Sequence, residues 1–150
     1  MSRVSRAEIE AMIPHAGGMC LLDAVTSWDE QQINCSSHSH QRSDNPLRRG
    51  DQLSAVHLAE YGAQAMAVHG GLLARAAGEV AAPGFLASLR NLQLTVDTLE
   101  SLPGALDVRA RQLMAADSGW TYEFEISHQG ESLATGRAMV MMMQEPTHDG

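Results

Sequence analysis

The sequence predicts an α+β fold in which an antiparallel sheet wraps one long helix, and three observations carry that expectation. From Leu53 to Ala77 the chain reads LSAVHLAEYGAQAMAVHGGLLARAA, an Ala-, Leu- and Met-rich run of about six helical turns with apolar residues on every side. Behind it come four segments in which every second residue is apolar, separated by turn-forming residues. The chain has 150 residues, of which 44% are hydrophobic and 19% charged, enough for a single domain over 1–150 with one core.

Taken in order, Ser5 to Ile13 reads as a short helix, with Ser5 and Glu8 at capping spacing and Pro14 as its stop. Ile9, Met12 and Ile13 make its apolar face. After a PHAGG turn, Met19 to Trp28 and Gln32 to His40 read as strands, and His38 and His40 on the second are expected to face solvent. Gln41 to Asp51 is polar, contains Asn45-Pro46, and reads as a loop. The long helix follows, with Ser54 as N-cap and Gly78 just past its end. Phe85 to Leu99, Ala105 to Ala116, Trp120 to His128 and Ser132 to Met143 then form a meander of four strands, and a polar tail closes the chain. A helix that is apolar all round has to be surrounded by protein, so the sheet must curl about it. That is the hotdog arrangement. Its free sheet edges lead us to expect a dimer joined edge to edge.

Charge narrows the function. Ten Lys and Arg stand against 18 Asp and Glu, a net charge of -8, which removes the general attraction that nucleic-acid binding needs. Cys20 and Cys35 have neither metal spacing nor a secreted framework, so they read as core residues of a reduced, cytoplasmic protein. No segment approaches the ~20 apolar residues of a membrane span. The seven histidines never join Cys or carboxylates at zinc spacing, so no metal is expected. Nine Met with few aromatics suit either gap filling or a cavity for a chain-like ligand.

Glu60 is the leading candidate for chemistry. It lies within the long helix among Ala55, Val56, Leu58, Ala59, Ala63, Ala65 and Met66, where burial would make ionisation costly and proton exchange natural. An exposed strip, or a pairing with an arginine, is the alternative. Gln64 one turn later and His57 one turn earlier share its face. Gln64 can orient the carboxylate or bind a thioester carbonyl. His57 can exchange protons or hydrogen-bond near the helix start, and His69 reads as a packed residue. Gly62 implies close packing or the passage of a ligand chain, since glycine costs roughly 1 kcal/mol in a helix. His15 lies in the Gly-rich turn. Arg48 and Arg49 are either a contact for an acidic partner or a solvated pair.

Two segments suggest a family. IPHAGGMCLLD resembles the N-terminal segment of bacterial (3R)-hydroxyacyl carrier-protein dehydratases. HLAEYGAQAMAVHGGL resembles their central helix, whose Glu-x-x-x-Gln aligns with Glu60 and Gln64. PHAGGM, NPLRR and EYGAQAMAVHG are most similar in wording to the small dehydratase-like proteins of aryl polyene biosynthesis. The resemblance covers Ile13 to Leu73. It implies dehydration of a 3-hydroxyacyl thioester to the trans-2-enoyl thioester, in fatty acid or aryl polyene synthesis. The substrate would ride on the phosphopantetheine of an acyl carrier protein, with no other cofactor. Expected partners are that carrier protein and either a second copy or another hotdog dehydratase.

In that family a loop histidine before the helix takes the α-proton, and the helix carboxylate protonates the departing hydroxyl. Here the loop reads SDNPLRRG, with Asn45 at the histidine's place, so only Glu60 and Gln64 carry over. Three routes remain open. Glu60 makes both proton transfers while Asn45 holds the carbonyl; His15 or His57 reaches the site; or the subunit is weakly active and pairs with an active dehydratase. An acyl-thioester hydrolase on the same fold is the rival reading.

Overall fold

The computed structural model describes residues 3–13, 19–79, 84–116 and 119–142. Helix α1 (Arg6–Met12) starts where Ser5 Oγ accepts the Glu8 N–H at 3.3 Å, and it buries Ile9. Strands β1 (Ala24–Trp28) and β2 (Gln32–Ser37) form a hairpin, followed by a polar loop and a 3-10 turn over Ala55–His57. Ser54 caps that turn by accepting the Val56 N–H, and helix α2 (Leu58–Ala76) continues from it. Strands β3 (Gly84–Leu94), β4 (Leu106–Ala116), β5 (Gly119–His128) and β6 (Glu131–Met142) complete the sheet. At the β5–β6 turn Gln129 (φ 50°) and Gly130 (φ 84°) both take left-handed backbone, the form a tight hairpin requires.

Among the described residues six strands pair antiparallel in the order β1-β2-β4-β5-β6-β3. The hotdog fold is therefore as expected, but the four-strand meander is not. Only β4, β5 and β6 run as neighbours; β3 sits beyond β6, at the far edge. After Leu94 the chain turns back along the start of the helix, where Ala55 N–H donates to Asp97 O at 2.8 Å and Leu99 N–H to Leu53 O at 2.9 Å. Those bonds end β3 short of the expected Leu99 and carry the chain to β4, beside β2.

The first two strands are also shorter than their sequence pattern. At Met19 and Leu21, backbone groups bond to side chains in place of a ladder: Gln64 takes Met19 O and Leu21 N, and Ser37 Oγ donates to Leu21 O. After Ser37, the His38 N–H goes to Asp23 Oδ2 at 2.7 Å and a 3-10 turn (Ser39–Gln41) bends inward. His40 is thereby buried, contrary to the solvent-facing position expected for it, while His38 is exposed. Cys20 and Cys35 are core residues, and burial pushes the Cys35 thiol up to about 12.

The core lies between α2 and one sheet face. Leu58, Tyr61, Ala65, Val68 and Leu72 meet Leu106, Val108, Ala110, Tyr122 and Ile126, whose alternate neighbours Asp107, Arg109 and Arg111 point outward. The expectation of a fully wrapped helix is corrected here. Val56, Glu60 and Ala67 are exposed and Ala59, Ala63 and Gly70 half-buried, so one narrow face of α2 stays open, and Leu89 and Leu94 on edge strand β3 are exposed too. Among the described residues no helix is long and apolar enough to cross a membrane.

Candidate functional site

The open face of α2 holds the candidate residues. Glu60 is exposed in the protomer, so the expected sequestration among alanines is not found. The flanking alanines are too small to shield it, and the sheet packs against the opposite side. Its one hydrogen bond among the described residues comes from Gln64 Nε2 to Glu60 Oε1, at 3.3 Å. Gln64 itself is 5% exposed. Its Oε1 accepts the Leu21 N–H at 2.9 Å and its Nε2 also donates to Met19 O at 2.7 Å. The amide therefore clamps the Met19–Leu21 backbone to the helix and steers the carboxylate. These bonds leave it no oxygen or nitrogen free for a thioester carbonyl.

Asn45 is buried and similarly committed. Its Nδ2 donates to Ser39 O at 2.8 Å and to Tyr61 Oη at 3.3 Å, while its Oδ1 accepts the Leu47 N–H at 2.8 Å. Ser39 Oγ lies 2.8 Å from Tyr61 Oη and 2.9 Å from Ser37 Oγ, which closes the network. Burial raises the Tyr61 phenol above its usual range. Asn45 thus fixes the loop to α2, and it cannot hold a substrate carbonyl without breaking this set.

Gly62 answers its question in favour of packing. A Cβ there would stand 2.7 Å from Cγ of Phe124, and a Cβ on Gly136 would stand 2.7 Å from Cζ of the same ring. The Phe124 ring fills the space over both glycines, so Gly62 provides no passage for a ligand chain. Arg48 is half-buried and its Nη2 donates to His40 O at 3.4 Å, which ties it to the loop, whereas Arg49 is exposed. His57 is half-buried at the start of α2 and makes no capping side-chain bond. His15 lies outside the described residues.

His69 is packed, as expected. Nε2 donates to Asp29 O at 2.8 Å, because a carbonyl can only accept, and Nδ1 then accepts from Tyr122 Oη at 2.7 Å. Burial lowers its pKa. The sequence reading missed Tyr61, Ser39 and Phe124. For Tyr61 a signal existed: a phenol inside a buried helix needs a polar partner, and the polar loop was the place to find it. No cluster that could hold a metal occurs among the described residues.

A family model described as ApeP-like, ApeP dehydratase, matches residues 7–149. The chain belongs to the ApeP-like dehydratase family. Among solved structures, this ApeP-like chain is similar to one from the dehydratase heterocomplex ApeI:P of Xenorhabdus doucetiae, with a TM-score of 0.82, 24% identity and 91% of each chain covered. It is also similar in fold to thioesterase HI1161 of Haemophilus influenzae, with a TM-score of 0.61, 10% identity, and 97% of this chain and 95% of that one covered. A mutant of thioesterase PA1618 from Pseudomonas aeruginosa gives a TM-score of 0.61, 12% identity and coverage of 93% of this chain and 95% of that one. No curated protein sequence matches significantly. The family and the fold agree with the resemblance carried by the front half of the chain.

Proposed function

We propose that the chain takes part in dehydrating 3-hydroxyacyl thioesters, borne on the phosphopantetheine of an acyl carrier protein, to trans-2-enoyl thioesters. We further propose that it does so completed by a second hotdog dehydratase subunit. One observation carries this reading: a steered carboxylate, Glu60, stands on an open helix face, while the family's loop-histidine position is held by Asn45 with its polar atoms engaged. Loss of water requires a base at the α-carbon and an acid at the β-hydroxyl. Glu60 supplies the acid, and the base comes from across the interface. A partner seated on the open strip of α2 would also withdraw Glu60 from water, giving it the environment that favours proton exchange. Exposed Arg49 is the better placed of the two arginines to meet an acidic carrier protein. The aryl polyene pathway is the setting that the motif wording supports.

A second reading has this subunit stabilise the partner without chemistry of its own, and the locked Asn45 favours it. Mass spectrometry of a 3-hydroxyacyl carrier protein separates the two. Under the first, the mixed complex removes one water per acyl chain, and Glu60→Gln lowers that rate by about 100-fold or more. A full rate with Glu60→Gln overturns the first reading and leaves the second. Variants of His15 and His57 in the same assay distinguish a base on this chain from one on the partner. Release of free thiol would indicate hydrolysis instead.

A further inference from the structure

The sheet face turned away from α2 carries an unusual charge pattern. Register places Arg111, Glu123, Arg137 and Arg90 in one row across β4, β5, β6 and β3, and Arg109, Glu125, Thr135 and Gln93 in the next. Four of the chain's ten cationic residues stand in these two rows with only two of its 18 acids, although the net charge is -8. Arg111 and Glu123 form an ion pair at 2.8 Å. Arg109, Arg137 and Arg90 have no ion-pair partner among the described residues.

Arg90 lies directly opposite Arg137, a like-charge pairing that weakens a sheet unless something anionic relieves it. A groove of about 450 Å³ runs over this face between Arg109, Arg111 and Arg137. Phe124 and Gly136 lie between the two charged rows and also line it, and β3 changes register beside it, with Asn91 in left-handed backbone (φ 56°). Asn91, Gln93 and Thr135 add hydrogen-bonding groups along it. A second copy of this face would bring the same excess of guanidinium charge, so self-association does not suit it.

We propose that this groove binds the phosphoryl group of a small phosphorylated ligand, with Arg109 and Arg137 as the principal contacts. Guanidinium groups fit phosphate oxygens through paired N–H donors, and two that lack carboxylate partners are free to do so. The groove exceeds a phosphoryl group in volume, so the rest of the ligand would lie over Gln93 and Thr135. This site is separate from the open face of α2 and does not depend on the dehydratase reading.

Calorimetric titration with inorganic pyrophosphate and with adenosine diphosphate tests it, using the full chain in phosphate-free buffer. Saturable one-site binding is expected, weakened by salt and weakened roughly tenfold or more in Arg109→Gln/Arg137→Gln. Arg42→Gln/Arg75→Gln removes the same charge from outside the groove and should leave binding intact. Tighter binding of adenosine diphosphate would point to an organic phosphate as the occupant, and equal binding to a free phosphate. No saturable binding to either probe, undiminished binding in the Arg109/Arg137 variant, or capture only by anionic lipid vesicles would each overturn the assignment.

Discussion

Gln64 and Glu60, one helical turn apart on α2, are joined by an Nε2–H to Oε1 hydrogen bond of 3.3 Å, yet one is buried and the other exposed. The pair divides a structural residue from the carboxylate proposed for the chemistry. Replacing Gln64 by Ala leaves the Leu21 N–H and the Met19 carbonyl without partners beneath the helix, which costs about 1–3 kcal/mol. Replacing Glu60 by Gln removes the charge of an exposed side chain while keeping one acceptor oxygen, and should change stability by less than about 0.5 kcal/mol. Urea unfolding of the two variants checks this ordering, and equal losses would contradict it.

Gly62 and Phe124 supply a second expectation. Alanine at 62 gains roughly 1 kcal/mol in helix propensity, so a free position would be stabilised. Here the new methyl would meet the ring root at 2.7 Å, and the other end of the ring is already close over Gly136. Overpacking of this kind costs about 1–3 kcal/mol, so Gly62→Ala should destabilise the protein on balance. A cycle with Phe124→Leu should recover most of the loss, whereas additive effects would show that the ring is not the obstacle.

How much of this was legible follows from where the signals live. Alternation is a local property of strands: in Tyr122, Phe124, Ile126 it located β5 closely, whereas in Leu92, Leu94, Val96 it ran past the end of β3 at Leu94. The position of β3 was not local. It depends on the return of Thr95 to Leu99 along the helix start, through bonds to Leu53 and Ala55 that no periodicity encodes. Glu60 was found as a carboxylate among the apolar residues of a long helix and again through its motif, but its exposure turned on which side of α2 the sheet covers, and a helix of small residues does not announce that. The roles of Asn45 and Gln64 rest on backbone partners outside their own helix or turn, Ser39 for the one and Met19 and Leu21 for the other, so residue type suggested polarity but not purpose.

Acid should loosen the fold through two buried histidines. Burial lowers the pKa of both His69 and His40 from the ordinary 6.5, so the folded state favours their neutral forms. The unfolded chain therefore binds more protons below that value, and stability, fully present above pH 6.5, is lost as pH falls toward the folded pKa values. The slope approaches about 1.4 kcal/mol per pH unit for each histidine taking up its proton on unfolding. Denaturation measured between about pH 7 and 5 should show this decline, and His69→Gln should flatten it, since an amide can retain the bond to Asp29 O without titrating. An unchanged slope in that variant would remove His69 from the account.

Asn45 tests whether the site can be rebuilt on this chain alone. A histidine at 45 would restore the residue type that the dehydratase resemblance leads one to expect. It would also break the bonds to Ser39 O, Tyr61 Oη and the Leu47 N–H, in a space where Asn45 is 5% exposed. Leaving such groups unpaired, with a larger ring in their midst, costs about 2–4 kcal/mol. Asn45→His should therefore lower the unfolding midpoint clearly and give no dehydration in the isolated chain, because the side chain is held by the loop network and Tyr61. Thermal unfolding together with the loss-of-water assay decides the matter: a stable, newly active variant would mean that this loop can serve as half of a catalytic pair after all.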